Sequence, residues 1–255
     1  MELRGTSALV TGGSSGLGAA VTAMLTAAGV AVVTLARNPR HPQEDARPHD
    51  VVDCIGDVVD PGAVQAAVTR AAELAPLRSV VLCAGGSKPM RTLDRAGEVH
   101  TLEAFRAIVE TNLIGTYNCI RLAAAAMAAQ PPDAAGARGA MIVTSSLAAL
   151  AGQVGQAAYA AAKAGLEGMV LPVARDLAPL GVRVNAIRPG GFATPAHGEE
   201  EALRSVSARV SKSAVFPHRL GEPEEFASLV RELLTNDYLN ATIIEIAAGM
   251  RDLPR

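Results

Sequence analysis

Aromatic residues are scarce in this sequence, which has no tryptophan and only 3% aromatic residues in its 255 positions. Because 49% of the residues are nonetheless hydrophobic, the core must be built mainly from alanine, valine, leucine and isoleucine. A chain of this length can bury one large core or two small ones. Composition alone therefore leaves the number of domains open.

Cysteine is also rare, and the three that occur, Cys54, Cys83 and Cys119, are odd in number and far apart. This pattern excludes a disulfide-stabilised scaffold and is typical of buried cysteines in a reducing compartment. The cysteines form no cluster with the spacing of metal ligands. We therefore expect a cytoplasmic protein without a bound metal.

Neither sign of charge dominates, since 23 basic and 25 acidic residues give a formal net charge of −2. A nucleic-acid-binding face would need an excess of basic residues. No apolar run is long enough to span a bilayer, and residues 1–10 have Arg4 as their one basic residue and lack a hydrophobic signal region. We expect no nucleic-acid partner, no membrane span and no targeting peptide.

Short apolar segments alternate with longer helix-forming segments along the whole chain. Unbroken apolar runs rich in β-branched residues are typical of strands buried on both faces of a parallel sheet. The predicted strands are residues 7–10, 30–35, 51–55, 79–83, 140–144, 182–187 and 242–246. The predicted helices are residues 19–28, 63–74, 102–129, 157–177 and 222–234. This alternation predicts the α/β class, with a doubly wound parallel sheet (a Rossmann fold) and helices on both faces.

Residues 130–139, with the sequence QPPDAAGARG, form the most linker-like segment of the chain. The segment is short and lies between a predicted helix and a predicted strand, which favours a surface loop. We therefore predict one domain that spans residues 1–255.

A glycine-rich segment, TGGSSGLG at residues 11–18, follows the first predicted strand and leads into the first predicted helix. Glycines let the backbone turn sharply and approach a pyrophosphate, and the helix N-terminus adds free N–H groups and a positive dipole end. The alternative is a plain tight turn, because glycine-rich turns between strands and helices are common.

Further motifs occur together with this segment, in an order that resembles the short-chain dehydrogenase/reductase family. They are the TGxxxGxG pattern of residues 11–18, Asn112 in a TNL segment, Ser146 upstream of the YxxxK pair Tyr159 and Lys163, and PGGFAT at residues 189–194. Together they cover essentially the whole chain. The resemblance implies an NAD(P)-dependent oxidoreductase that interconverts a secondary alcohol and a ketone by hydride transfer.

Longer stretches resemble one branch of that family, the type-2 3-hydroxyacyl-CoA and hydroxysteroid dehydrogenases. They are HTLEAF (100–105), NLIGT (112–116), GQVGQAAY (152–159), ARDLAPLG (174–181) and FPHRLGEP (216–223). This likeness implies a 3-hydroxyacyl-CoA substrate. Two alternatives stay open: a ketoreductase for a steroid, polyketide or other secondary metabolite, and a catalytically silent nucleotide-sensing protein on the same fold.

The candidate catalytic residues are Asn112, Ser146, Tyr159 and Lys163. Tyr159 can take or give the hydroxyl proton, and Lys163, four residues on along a helix, would lower its pKa. Ser146 would hydrogen-bond the substrate oxygen, and by resemblance Asn112 would hold a water next to Lys163. The alternatives are Ser145 in place of Ser146, a Tyr159–Lys163 pair at an amphipathic helix edge, and an Asn112 side chain bonded to backbone.

The predicted cofactor contacts follow the matched motifs and the end of the second strand. They are Gly12, Ser15, Gly16, Leu17, Gly18, Arg37, Asp57, Val58, Cys83, Ala84, Gly85, Tyr159, Lys163, Pro189, Gly190, Phe192 and Thr194.

Cofactor choice depends on the end of the second strand, where an acidic residue would grip the adenosine ribose and repel a 2′-phosphate. This sequence has Ala36 there, followed by Arg37, whose guanidinium can pair with a phosphate. We therefore favour NADP(H), with NAD(H) as the alternative if Arg37 is merely a solvated charge. A second departure from the family pattern is Leu82, at a place where the family has asparagine.

Residues 195–217 form the predicted substrate loop. Their mixed charges, with acidic Glu199, Glu200 and Glu201 beside basic Arg204, Arg209 and Lys212, are typical of a solvated helix face. The basic residues suit a CoA substrate, whereas the glutamate run argues mildly against one. The family resemblance also implies a homotetramer formed through the two long central helices.

Overall fold

The computed structural model describes residues 1–38, 51–194 and 200–251 of the chain. The strands in chain order are β1 (Ser7–Thr11), β2 (Ala31–Ala36), β3 (Val51–Ile55), β4 (Leu77–Leu82), β5 (Gly139–Thr144), β6 (Val182–Pro189) and β7 (Ile243–Ile246). The α-helices are α1 (Gly16–Ala27), α2 (Pro61–Leu74), α3 (Leu102–Val109), α4 (Gly115–Ala128), α5 (Ala148–Ala151), α6 (Ala157–Leu177), α7 (Glu200–Ser213) and α8 (Pro223–Thr235).

All seven strands join one parallel sheet in the order β3-β2-β1-β4-β5-β6-β7. The order reverses between β1 and β4, because the chain moves outward from β1 to β3 and then returns to the other side of β1. In open α/β sheets, ligands bind at such a switch point, beyond the carboxyl ends of the strands. The predicted doubly wound Rossmann fold is confirmed.

Helices cover both faces of the sheet, and each face has its own apolar core. One core packs α2, α4 and α6 against the sheet around Leu9, Val80 and Met141. The other packs α1 and α8 around Val10 and Phe226. The central strands β1, β4 and β5 are buried along their whole length. This burial on both faces explains why their sequences are largely continuous apolar runs.

The helix predicted at residues 102–129 is wrong in one respect, because a π-helical turn at Glu110–Ile114 divides it into α3 and α4. Asn112 lies in this turn, where its side-chain amide donates to the Ile108 carbonyl, and the hydroxyl of Thr116 donates to the Asn112 carbonyl. These side chains satisfy backbone carbonyls where the regular helical ladder is interrupted. Such π-turns occur often at functional sites.

The predicted substrate loop contains a regular element, helix α7, whereas residues 195–199 of that loop lie outside the described part of the chain. Val210 on α7 packs into a small apolar cluster with Leu147, Leu220 and Met250. This cluster holds the end of α7 over the carboxyl edge of the sheet. No helix within the described ranges is long and apolar enough to cross a membrane.

Candidate active site

A cleft of about 1080 Å³ opens at the carboxyl edge of the sheet, at the switch point between β1 and β4. All the predicted cofactor contacts line it, and so do Ser146, Tyr159 and Lys163. Asn112 lies behind the cleft wall and does not line it. The fold thus brings into one cavity residues from position 12 to position 194.

The glycine-rich loop forms one wall of the cleft, and two of its glycines cannot be replaced without moving backbone. A Cβ on Gly18 would lie 2.2 Å from the Gly12 carbonyl oxygen, and one on Gly12 would lie 2.9 Å from the Ala84 nitrogen. Gly12 also has φ +67°, a conformation that disfavours other residues. The loop therefore brings bare backbone to the cleft.

Helix α1 begins in this loop and directs its N-terminus at the cleft. Its N-cap, Ser15, makes no side-chain capping hydrogen bond, and the first turn contains no acidic residue. The unsatisfied N–H groups and the positive end of the helix dipole are suited to a phosphate. The chemistry and the close-packed glycines fit the pyrophosphate of a dinucleotide.

The far end of the cleft is open to solvent and is formed by the ends of β2 and β3. Ala36, Arg37 and Asn38 line it on one side, and Asp57 and Val58 line it on the other. Arg37 is exposed, and its guanidinium has no hydrogen bond or ion pair with any described residue. The last residue of β2 is Ala36, so this strand itself ends without a carboxylate.

The segment after β4 forms the middle of the cleft. The Ala84 backbone N–H donates to the Thr11 hydroxyl at 3.2 Å, which joins this segment to β1. Gly85 has φ +150°, and a Cβ there would lie 2.4 Å from the Asn112 side-chain oxygen. Leu82, the departure from the family pattern, is buried in the core and contributes apolar packing where an asparagine would need a polar partner.

Tyr159 and Lys163 lie one turn apart on α6 and face the cleft. The Lys163 ammonium donates to the Thr144 carbonyl at 2.7 Å and lies 5.5 Å from the centre of the Tyr159 ring. Lys163 is only 4% exposed. The Ser146 hydroxyl lies beside the Tyr159 phenol and lowers its pKa by hydrogen bonding, so the serine, tyrosine and lysine form one group.

The protonation of this pair differs from the expectation that Lys163 lowers the pKa of Tyr159. Burial raises the pKa of the Tyr159 phenol, and the hydrogen bond with Ser146 offsets part of that rise. Burial also lowers the pKa of Lys163 to about 8. The Tyr159 pKa is therefore raised and not lowered, because desolvation disfavours the charged form of each group and outweighs the effect of the neighbouring ammonium on Tyr159.

Ser145 and Ser146 are distinguished by their partners. Ser145 is buried, and its hydroxyl donates to the Glu167 carboxylate at 2.6 Å. Ser146 is half-buried, and its hydroxyl accepts from the Ala148 N–H and lies beside the Tyr159 phenol, whose pKa it lowers. Because the Ser145 hydroxyl is already hydrogen-bonded to Glu167 on α6, Ser146 is the serine available to a substrate.

Asn112 is 1% exposed, and its side chain is bonded to backbone. Its amide nitrogen donates to the carbonyls of Gly86 and Ile108, both at 2.9 Å, and its amide oxygen accepts from the Gly86 N–H. This is the arrangement of the alternative interpretation, in which Asn112 supports the loop after β4. Its role next to Lys163 stays a prediction.

The predicted substrate loop, residues 195–217, supplies part of the substrate side of the cleft, because Val206, Val210, Lys212 and Ser213 line it. Sequence reasoning missed the other residues on this side, which are Gly86, Ser87, Pro89, Thr111, Leu147, Gln153, Gln156 and Met250. Gln153 and Gln156 belong to the GQVGQAAY stretch just before Tyr159, and that position could have indicated them. No local pattern identifies Met250, because a long-range packing cluster places it there.

The comparisons with known proteins agree with this geometry. The family model described as short chain dehydrogenase matches residues 6–204. The chain is 40% identical to the 3-hydroxyacyl-CoA dehydrogenase type-2 of Rattus norvegicus, over 99% of this chain and 98% of that protein. It is 30% identical to the ipsdienol dehydrogenase of Ips pini, over 95% of this chain and 96% of that protein.

A solved structure gives the same result in three dimensions. The crystal structure of 3-hydroxyacyl-CoA dehydrogenase type-2 from Mycobacterium avium superposes with a TM-score of 0.92 at 36% identity, and the match covers 100% of both chains.

Proposed function

The chain belongs to the short-chain dehydrogenase family, and we propose that it interconverts a 3-hydroxyacyl-CoA and the corresponding 3-ketoacyl-CoA with NADP(H). The observation that carries this proposal is the cleft, which joins a dinucleotide-binding loop to the Ser146–Tyr159–Lys163 group. The relatives named as 3-hydroxyacyl-CoA dehydrogenases support the substrate class. The broader activity, oxidoreduction between a secondary alcohol and a ketone, is that of the family.

A bound nicotinamide dinucleotide supplies the hydride acceptor for oxidation or the hydride donor for reduction. The N-terminus of α1 and the backbone near Gly12 would hold its pyrophosphate, and the residues after β4 and β6 would hold its nicotinamide end. Gly85 and Gly190 leave no room for side chains there, since a Cβ on Gly190 would lie 2.8 Å from Met250. The cavity thus fits a flat, extended ligand against bare backbone.

Tyr159 is the proton-transfer group of this proposal. In reduction, the phenol donates its proton to the carbonyl oxygen as the hydride arrives at carbon; in oxidation, the phenolate takes the hydroxyl proton. Burial raises the Tyr159 pKa, which suits the phenol to the role of acid. Ser146 would hydrogen-bond the same substrate oxygen and hold it beside Tyr159.

Lys163 serves by position and by charge. Its hydrogen bond to the Thr144 carbonyl fixes it at the end of β5, and its ammonium, when protonated, favours the Tyr159 phenolate. With a pKa of about 8, this charge is lost as the pH rises through that value.

The substrate side of the cleft combines apolar and basic groups. Leu147, Val206, Val210 and Met250 line it, with Lys212 at its exposed rim. An acyl chain would contact the apolar residues, while an ammonium at the rim would attract the phosphates of CoA.

The substrate proposal is tested with matched ketones. We would compare kcat/KM for a 3-ketoacyl-CoA, for the same acyl group on N-acetylcysteamine, which lacks the nucleotide, and for a ketosteroid. The CoA thioester should be the best of the three. Equal kcat/KM for the two thioesters would show that the enzyme does not recognise the CoA nucleotide. A higher kcat/KM for the ketosteroid would favour the ketoreductase alternative.

The assembly is also a proposal, namely a homotetramer in the cytoplasm. Large apolar side chains at Ile114, Tyr117 and Leu171 are exposed on the central helices, as expected where helices pack between subunits. All three cysteines are unpaired, which supports a reducing location. Sedimentation that finds only a monomer at micromolar concentration would refute the tetramer.

A further inference from the structure

A row of polar side chains runs beneath the catalytic group, between the sheet and helix α6. Its first member is Ser145, whose hydroxyl donates to the Glu167 carboxylate at 2.6 Å and lies 3.4 Å from the Lys163 carbonyl. Glu167 lies one turn beyond Lys163 on α6. Ser145 therefore joins the end of β5 to the helix that contains Tyr159 and Lys163.

An arginine holds this glutamate from the other side. Arg188, near the end of β6, donates to both Glu167 oxygens, at 2.9 and 2.6 Å. The side chains of Glu167 and Arg188 are 10% and 13% exposed. Glu245 lies beside Arg188 in the β6–β7 register and makes a second, longer ion pair with it. The Glu167 carboxylate is thus fixed by charge and by geometry.

Stability alone does not explain such a pair. A largely buried ion pair gains little net free energy, because the cost of removing both charges from water offsets their attraction. It does, however, impose one geometry, since a guanidinium and a carboxylate bind through two parallel hydrogen bonds. What this geometry orients is the Ser145 hydroxyl.

Ser145 lies between Thr144, whose backbone contacts the catalytic group, and Ser146, which belongs to that group. The carbonyl before it, that of Thr144, accepts the hydrogen bond from Lys163, and the residue after it, Ser146, lies beside the Tyr159 phenol and lowers its pKa. A displacement of Ser145 relative to α6 would therefore disturb both contacts together.

We propose that Glu167, oriented by Arg188, is a positioning residue for the reaction, which acts through Ser145 to set Ser146 and the Thr144 carbonyl against Tyr159 and Lys163. Glu167 itself does not line the cleft. The inference rests on the proposed dehydrogenase function.

The first variant is Ser145→Ala, which removes the donor and leaves the Glu167–Arg188 pair in place. We expect kcat to fall about 10- to 100-fold, because small displacements of reacting groups have effects of this size, while KM for the cofactor changes less than about twofold. The Ser146 hydrogen bond lowers the Tyr159 pKa, so loosening it should move the midpoint of the pH–rate profile for oxidation to higher pH.

The second variant is Glu167→Gln, and its matched control is Glu225→Gln. Glu225 also forms a two-point ion pair, with Arg219, but that pair is exposed and neither residue lines the catalytic cleft. Glu167→Gln should lower kcat and shift the pH profile, whereas Glu225→Gln should change stability only. The double variant Ser145→Ala/Glu167→Gln should be no slower than Ser145→Ala, because both changes break one connection.

Three results would overturn the proposal, provided that the wild-type enzyme is active and that Tyr159→Phe lowers its kcat. One is a Ser145→Ala enzyme with wild-type kcat and pH profile. Another is a double variant whose losses multiply. The third is a Glu167→Gln enzyme that loses only thermal stability, as the control does. Failure of the dehydrogenase function itself would be recognised separately, by a wild-type enzyme that turns over no carbonyl substrate.

Discussion

The two ends of the cleft are built differently. At the catalytic end, Lys163 is buried and its ammonium is hydrogen-bonded to the end of β5, and Tyr159 is half-buried beside Ser146. At the adenosine end, Arg37 projects into solvent and has no described partner. Buried, fully paired groups are costly to disturb, whereas an exposed charge contributes through one contact. Changes at the catalytic end should therefore have the larger effects.

The largest effect is expected from Tyr159→Phe. Removal of the proton-transfer hydroxyl should lower kcat by roughly 10²- to 10⁴-fold, the usual contribution of general acid–base catalysis, with cofactor binding retained. Steady-state kinetics and cofactor titration measure both quantities. Tyr238→Phe, at a fully exposed tyrosine, is the control, and a Tyr159→Phe enzyme with wild-type turnover would rule out the mechanism.

The next effect concerns the free energy of unfolding and the buried Lys163. Its pKa is about 8 in the folded protein against an ordinary 10.5. Between these values the unfolded chain binds more protons, so this lysine's contribution to stability improves as the pH rises. Below pH 8 the lysine destabilises the fold by ~3 kcal/mol. This penalty disappears as the pH approaches the pKa of the lysine in the unfolded chain.

Denaturant titrations of wild type and Lys163→Met at several pH values measure this difference. Relative to the variant, wild type should gain up to ~3 kcal/mol between about pH 7 and about pH 10.5. The control is Lys212→Met, at an exposed lysine, for which the difference in unfolding free energy from wild type should not change with pH. A flat difference for Lys163→Met as well would mean that the lysine is better solvated than its burial implies.

The smallest effect is expected at the adenosine end, for the choice of cofactor. A charge-assisted pair between Arg37 and a 2′-phosphate is worth roughly 1.5–3 kcal/mol, so wild type should bind NADP(H) about 10- to 100-fold more tightly than NAD(H). Ala36→Asp/Arg37→Leu should reverse the preference, because the new carboxylate repels the phosphate and can grip the ribose.

Affinities for both cofactors, measured for wild type and the double variant, decide this point. Arg70→Leu removes an exposed arginine elsewhere, on α2, and should leave the ratio unchanged. Tighter binding of NAD(H) by wild type, with no change in the double variant, would show that Arg37 is a solvated charge.

Much of the fold could be predicted because its determinants are local. Residues 51–55 and 157–177 were predicted with the bounds that the structure gives to β3 and α6. A short apolar run of the first length favours a strand, and a helix-forming run of the second length favours a helix. The glycines of residues 11–18 could also be recognised, because their need for bare backbone is a property of the turn itself. The sequence likewise placed Tyr159 and Lys163 on one helical face.

Tertiary structure alone decided the properties that depend on distant partners. The π-turn contains Asn112, whose side chain hydrogen-bonds the loop after β4. The distinction between Ser145 and Ser146 depends on Glu167, which lies 22 residues farther along the chain. The pKa values of Tyr159 and Lys163 follow from burial, which no spacing of residues reveals. Sequence thus indicated the glycine-rich loop and the Ser146, Tyr159 and Lys163 side chains. Packing determined the substrate side of the cleft and the protonation and orientation of those groups, because desolvation and ion pairing act through space rather than along the chain.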